Sequence, residues 1–148
     1  MIYIIIIVGL ILDYGTKLWA LDRLKGQADI TIIEGFFDLS YLENRGAAFG
    51  IFQGQVYFLA VVTSIIMAVL FIAYLKAKKR TMLLTVSTGM ILTGAVGNLI
   101  DRLTYGFVVD FISWHWKDTY YFPTFNVADI FITLGTGLLI LYILKEVD

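Results

Sequence analysis

The stretch from Val56 to Leu75 reads VYFLAVVTSIIMAVLFIAYL and contains no charged side chain. It is followed at once by Lys76-Ala77-Lys78-Lys79-Arg80, and a second apolar stretch begins at Met82. A helix needs about 20 apolar residues to cross about 30 Å of hydrocarbon, because it rises about 1.5 Å per residue. The two stretches therefore predict two membrane-spanning helices joined by a short basic loop.

The rest of the chain has the same character. Hydrophobic residues make up 59% of its 148 residues and charged residues only 16%, against roughly 25% in soluble domains. The mean hydropathy of +0.84 leaves too little polar surface to cover a soluble globule. We predict a single integral-membrane domain over residues 1–148, with spans at 2–21, 56–75, 82–100 and 127–144. The first span lacks the basic start and the A-x-A-like cleavage site of a secretory signal peptide.

The basic loop predicts the orientation. Residues 76–81 hold four basic residues, more than either of the longer loops, and the positive-inside rule places such a loop in the cytoplasm. Both termini are then cytoplasmic, and the loops at 22–55 and 101–125 lie outside.

These outer loops carry strand signals. Ile30–Ile33 and Phe36–Tyr41 are β-branched and aromatic runs separated by Gly35, and Phe107–Ile112 is a similar run. Such runs predict short strands. The predicted fold class is a membrane all-α protein with a small β part: four transmembrane helices, a small extracytoplasmic β-sheet and a second outer loop. Interfacial aromatic residues would be Trp114, Trp116, Tyr120 and Tyr121.

Several kinds of chemistry are excluded by composition. The chain has no cysteine and one histidine, His115, which has no HExxH partner. Thiol nucleophiles and cysteine-based metal sites are therefore absent, and we expect no metal and no cofactor. The net charge of −1 without a basic stripe argues against a nucleic-acid partner. Carboxylates are the groups left for hydrolysis.

Polar residues fall at one level of the predicted bundle, its outer end. Ionisable groups within membrane spans are costly and usually functional. Asp13, for example, lies about 18 Å along the first helix from the inner side. The group comprises Asp13, Lys17, Asn98, Asp101, Arg102, Asp110, Asn126 and Asp129.

Most of these residues also have a purely structural interpretation. Asp13 and Lys17 have the i, i+4 spacing of a helical ion pair. Asp101-Arg102 could cap the third helix, and Asn126-Val127-Ala128-Asp129 resembles a helix start with an N-cap and an acid facing the dipole. These alternatives remain open from the sequence.

Asp110 is different, because it interrupts a run that would otherwise bury completely and so needs a partner. The simplest partner is Asp129. Two carboxylates in a low-dielectric pocket tend to share one proton, and such a pair can activate a water and protonate a carbonyl. The sequence alone does not bring the two side chains together.

At these residues the chain resembles a known family, the bacterial lipoprotein signal peptidases (signal peptidase II). Five blocks in order carry the resemblance over nearly the whole chain. They are Asp13-Tyr14-Gly15-Thr16-Lys17, Asn44-Arg45-Gly46-Ala47-Ala48-Phe49-Gly50, Gly94-Ala95-Val96-Gly97-Asn98-Leu99-Ile100-Asp101-Arg102, Val108-Val109-Asp110-Phe111 and Phe125-Asn126-Val127-Ala128-Asp129. Departures from the usual pattern occur at Tyr14, Thr93 and Ile130.

The resemblance implies an intramembrane aspartic endopeptidase with Asp110 and Asp129 as its catalytic pair. It implies cleavage of a prolipoprotein just before a cysteine that carries diacylglycerol, at the outer leaflet of the bacterial inner (cytoplasmic) membrane. Membrane lipids and peptide-like inhibitors of the family such as globomycin would be further ligands. Substrate-binding roles are implied for Asn44, Asn98, Arg102 and Asn126, and supporting roles for Asp13, Lys17, Gly46, Gly94, Gly97 and Asp101.

Some alternatives remain at this stage. Gly46, Gly50, Gly94 and Gly97 could let backbone or an acyl chain approach closely, or could serve helix packing. An ion-coupled transporter would also use intramembrane acids, but it would need them near the membrane centre. A non-catalytic assembly factor would not need Asp110 and Asp129 together.

Overall fold

A computed structural model describes residues 1–47, 51–117 and 119–147 of the chain, without the side chains of residues 146 and 147. Ala48, Phe49 and Gly50, the end of the second matching block, lie outside the described residues. The described chain forms four long helices and four strands. The helices are α1 (Ile2–Arg23), α2 (Val56–Lys76), α3 (Met82–Tyr105) and α4 (Val127–Val147).

All four helices are long and apolar enough to cross a membrane, which confirms the predicted fold class. α3 is longer than the apolar segment that predicts it. It continues to Tyr105 and ends at Gly106, whose φ of 75° gives the left-handed C-cap and whose N–H donates to the carbonyl of Arg102. Asp101 therefore lies inside the helix, and the interpretation of Asp101-Arg102 as a cap is wrong.

α3 is the central helix of the bundle. It packs against α1, α2 and α4, and 61% of its apolar window is buried, compared with 11% in α2. α2 contributes an almost uniformly apolar surface in which large side chains such as Ile65 and Val69 are exposed. A large contiguous apolar surface is typical of contact with membrane lipid, so the helices present this surface to lipid.

Two glycines of α3 allow its neighbours to approach closely. A Cβ at Gly94 would overlap the carbonyl oxygen of Ala128 and lie 2.7 Å from Cγ1 of Ile132, both on α4. A Cβ at Gly97 would overlap Oδ2 of Asp13 on α1. Gly94 therefore lets the backbones of α3 and α4 approach closely, as small residues do in membrane helix packing, and Gly97 leaves room for the Asp13 carboxyl group.

The strands form one antiparallel sheet in the order β1 (Ile30–Ile33), β2 (Phe37–Asn44), β3 (Val108–Trp116) and β4 (Tyr120–Tyr121). β1 and β2 connect α1 to α2, while β3 and β4 connect α3 to α4. The sheet therefore lies at the end of the bundle opposite the basic loop. The predicted runs are strands, and both β2 and β3 extend beyond them.

A small apolar cluster joins this sheet to the helices. Ala20 and Leu24 from the end of α1 pack with Phe107, Val109 and Phe111, and all five are buried. Because side chains alternate along a strand, Val109 and Phe111 point toward this cluster while the residue between them points to the other face. That residue is Asp110, and the packing of β3 thus fixes where its carboxyl group lies.

Candidate active site

The buried ammonium of Lys17 is the centre of the polar site. Its Nζ atom lies 2.9 Å from Oδ2 of Asp13, 3.0 Å from Oδ2 of Asp101 and 3.0 Å from Oδ1 of Asn98. Lys17 is 1% exposed. An ammonium has three donors, so every donor of Lys17 has an acceptor, and this one buried cation pairs with two buried carboxylates. The predicted Asp13–Lys17 ion pair is confirmed.

The two carboxylates bound by Lys17 each hold a second element. Oδ1 of Asp13 accepts from the backbone N–H of Ala128 at 2.9 Å, in the first turn of α4. Oδ2 of Asp101 accepts from the backbone N–H of Val109 at 3.0 Å, in β3. Lys17 therefore ties α1, α3, α4 and β3 together through these carboxylates.

Asn98 carries the network toward Asp129. Its Oδ1 accepts from Lys17 and from Nδ2 of Asn126, and its Nδ2 donates to Oδ1 of Asp129 at 2.8 Å. Both ends of the amide are thereby used, so its orientation is fixed by its partners.

Asn126 and Asp129 form the predicted start of α4. The Asn126 Oδ1 accepts from the Asp129 N–H at 3.0 Å, and the Asp129 Oδ2 accepts from the Asn126 N–H at 3.2 Å. This is the reciprocal arrangement of a capping box. The N-cap interpretation is confirmed, but the same Asn126 side chain also donates from Nδ2 to Oδ1 of Asp110 at 2.7 Å. One carboxamide thus contacts both aspartates.

Asp110 receives a second amide from the sheet. Nδ2 of Asn44, the last residue of β2, donates to Oδ2 of Asp110 at 2.9 Å. The β2–β3 register pairs Leu42 with Asp110 and Asn44 with Val108, which brings the Asn44 side chain beside the carboxyl group. The Asn44 Oδ1 accepts from the Gly46 N–H at 3.0 Å and so is held by its own turn.

Burial and the nearby charge of Asp129 raise the pKa of Asp110 to about 7. The amides of Asn44 and Asn126 oppose this rise, because they donate to the ionised carboxylate. Asp110 is 1% exposed. At neutral pH the Asp110 carboxyl group can therefore hold a proton in the folded protein.

Arg102 lies at the edge of the site. It donates to the carbonyl of Gly46 at 3.3 Å and to the carbonyl of Asn98 at 3.5 Å. A Cβ at Gly46 would lie 2.7 Å from the carbonyl oxygen of Ile51, so glycine keeps this loop compact. The Arg102 guanidinium has five N–H groups, and its contacts with described residues are two long hydrogen bonds. Arg102 therefore retains donors for a ligand.

The structure brings together all of the polar residues predicted for the site and adds a support that the sequence did not indicate. Glu43, which precedes Asn44, accepts from Lys25 at 3.1 Å, from Tyr41 at 3.2 Å and from Arg45 at 3.2 Å. These contacts hold the end of β2 against the end of α1. In the sequence, this support is indicated only by the opposite charges of Glu43 and Arg45 on either side of Asn44. No local pattern indicates Lys25 as a partner of Glu43.

The sequence is also similar to that of known membrane peptidases. A family model described as signal peptidase (SPase) II matches residues 5–145. The chain is 50% identical over 143 residues to a lipoprotein signal peptidase of Clostridium tetani, covering 97% of this chain and 92% of that protein. It is 44% identical over 145 residues to the lipoprotein signal peptidase of Clostridium acetobutylicum, covering 98% and 94%.

A solved structure of a bacterial membrane enzyme superposes with a TM-score of 0.90 at 32% identity, covering 99% of this chain and 89% of the other. Fold and matches together define a multi-pass membrane peptidase. The chain belongs to the signal peptidase II family, whose curated members at this similarity are lipoprotein signal peptidases. This membership favours lipoprotein processing over the transporter and assembly-factor interpretations.

Substitution of Lys17 by methionine tests the centre of the network. Lys17→Met keeps the length of the side chain but leaves Asp13 and Asp101 buried without a cation. Removing one partner of a buried ion pair typically costs about 3–5 kcal/mol. We expect a markedly lower midpoint of thermal unfolding for the purified protein in detergent.

Arg23→Met, in the same helix, is the matched control. Arg23 pairs with Asp22, and both side chains are largely exposed, so its loss has little effect on the unfolding midpoint. Equal midpoints for the two variants would show that Lys17 does not balance the buried carboxylates.

Proposed function

We propose that the chain is an aspartic endopeptidase of prolipoproteins, with Asp110 and Asp129 as the catalytic pair. The observation that carries the proposal is the Asn126 carboxamide. Its nitrogen donates to Asp110 at 2.7 Å, and its oxygen accepts from the N–H of Asp129. The backbone N–H of Asn126 also donates to the Asp129 carboxyl group, so one residue contacts both carboxyl groups, Asp110 through its side chain and Asp129 through its main chain.

The chemistry follows from one shared proton. Asp110, with a pKa raised to about 7, holds the proton and donates it to the carbonyl oxygen of the scissile peptide. Asp129 stands at the N-terminus of α4, where the helix dipole stabilises negative charge, and it takes a proton from the attacking water. The pair thus works as acid and base within one site.

The remaining donors suit an extended peptide. Arg102 and the second N–H groups of the Asn44 and Asn98 amides can bind main-chain carbonyl groups, which orients the scissile bond. The Asn126 amide nitrogen already donates to Asn98, Val109 and Asp110, so its role in this proposal is to position the Asp110 carboxyl group. In the resting state the three amides also hold the carboxylates. The chemistry needs no metal and no cofactor in this proposal, so a chelator leaves activity unchanged.

The substrate we propose is a prolipoprotein whose cysteine already carries diacylglycerol, cut on the N-terminal side of that cysteine. Its acyl chains stay in the membrane, which keeps the scissile bond near the outer ends of α1, α3 and α4. We further propose a location in the bacterial inner (cytoplasmic) membrane, with both termini cytoplasmic and the active site at the outer leaflet. Peptide-like inhibitors of the family, such as globomycin, would bind the same donors.

Replacing either carboxyl group tests the catalytic pair. Asp110→Asn and Asp129→Asn should each reduce cleavage of a purified diacylglyceryl prolipoprotein to background, because an amide neither takes nor donates the required proton. The variants should still insert, and their unfolding midpoints should remain close to wild type. Product is measured on gels from enzyme in detergent micelles.

Asp22→Asn is the control for this experiment, since Asp22 is an exposed carboxylate near the same end of α1. It should cleave at the wild-type rate. Robust cleavage by folded Asp110→Asn or Asp129→Asn protein would rule out the pair.

The pH dependence offers an independent test. Above pH 7 the shared proton is lost, so kcat/KM should fall about tenfold per pH unit. The Asn44 amide lowers the pKa of Asp110, and Asn44→Ala should therefore move the falling limb to higher pH. Asp22→Asn should leave the limb in place. A limb that does not move in Asn44→Ala would contradict the assignment of Asp110 as the proton-bearing group.

The orientation can be tested in cells. Alkaline phosphatase, which folds only after export, should be inactive when fused after Lys78 and active when fused after Gln27. The reverse pattern would overturn the proposed topology.

A further inference from the structure

A cavity lies at the end of the bundle away from Asp110 and Asp129. It has a volume of about 390 Å³ and opens between the start of α1, the end of α2 and the start of α3. Its lining includes both apolar and polar side chains. The residues that matter here are Ile2, Tyr3, Phe71, Tyr74, Arg80 and Thr85.

The Arg80 guanidinium is held in place at this cavity. Its Nη2 donates to the carbonyl of Leu75 at 2.7 Å, and its Cζ lies 5.3 Å from the ring centroid of Tyr74. Tyr74 is buried, and its hydroxyl shares a hydrogen bond of 3.3 Å with the hydroxyl of Thr85. A fixed guanidinium loses little side-chain entropy when it binds an anion.

Arg80 has unused donors and no counter-ion in the described part of the chain. Leu75 is its only hydrogen-bond acceptor there, and none of the ion pairs among described residues includes it. A guanidinium has five N–H groups in a fork that matches phosphate oxygens. Within the part of the chain that the structure describes, the Arg80 guanidinium at this cavity is therefore oriented and unpaired.

The surrounding sequence is also positive. Lys76, Lys78 and Lys79 share the loop with Arg80, and no acidic residue occurs in Met1–Leu12 or between Asn44 and Ile100. The acidic residues that follow the last helical span are Glu146 and Asp148, at the C-terminus. Basic pockets between transmembrane helices are suited to lipid phosphate groups.

We propose that this cavity binds one anionic phospholipid, with Arg80 as the ligand of its phosphate. The exposed apolar side chains next to the cavity, Ile4 on α1 and Ile72 on α2, give its acyl chains a surface that free phosphate cannot use. The lipid would join α1 to α2, both of which pack mainly on α3. The proposal is independent of the catalytic pair.

The test is lipid binding to delipidated protein in detergent, measured by native mass spectrometry with phosphatidylglycerol and with phosphatidylcholine of the same acyl chains. We expect at least tenfold tighter binding of phosphatidylglycerol to the wild-type protein. Arg80→Ala should abolish this preference. Lys78→Ala, which removes one positive charge from the same loop, is the matched control.

The Lys78→Ala control distinguishes a specific lipid site at Arg80 from diffuse attraction between the basic loop and anionic lipid. One surface charge is worth about fivefold in binding to anionic lipid, so diffuse attraction predicts equal losses for Arg80→Ala and Lys78→Ala. Equal losses would overturn the proposal, as would the absence of a preference in the wild-type protein. Displacement of the lipid by an equimolar amount of inorganic phosphate would show a free-phosphate site instead. If Arg80→Ala does not purify as a folded protein, Arg80→Gln replaces it, with the same expected loss.

Discussion

The structure depends on the buried ion network in which the Lys17 ammonium contacts two carboxylates, Asp13 and Asp101. A lone ammonium or carboxylate inside a membrane protein is too costly to keep, so Lys17, Asp13 and Asp101 are stable only together. Their contacts of 2.9 and 3.0 Å fix the axial position and the rotation of α1 and α3 relative to each other at the end of the bundle next to the sheet. A slide of either helix would break these contacts and leave charges unpaired. The ion network thus fixes the alignment that the apolar contacts leave free.

The amides extend this alignment to the aspartates. Asn98 accepts from Lys17 and donates to Asp129, while Asn126 accepts at one end of its side chain and donates to Asp110 at the other. Neither amide can turn over without exchanging donors for acceptors at every contact. The positions of the two carboxyl groups are therefore determined by the same buried charge that holds the helices. Buried polar networks are strong when every member is satisfied.

The two ends of the bundle have different physical tasks. The end next to the sheet is crowded with buried carboxylates and amides. The other end carries the basic loop, where Arg80 is oriented by Leu75 and Tyr74 but has no carboxylate partner among described residues. Between them, α2 and the apolar faces of α1 and α4 provide contact with lipid and little else. The catalytic site and the lipid site that we propose therefore both lie where helices end.

The sequence by itself determined the local features of this protein. Apolar length gave the four helices, β-branched runs gave the strands, and short spacings gave the Asp13–Lys17 pair and the N-cap at Asn126. The blocks of family resemblance also pointed to the two aspartates as a pair. These features depend on neighbours within a few residues or on motifs in order, so they could be found without a fold.

Only the tertiary structure decided which polar groups meet. The bond from Lys17 to Asn98 joins residues 81 positions apart, and the bond from Ala128 to Asp13 joins residues 115 positions apart. Both contacts exist because Gly94 and Gly97 let α3 lie close against α4 and α1. Local patterns do not encode such distances between helices, since these distances result from how the packed surfaces fit.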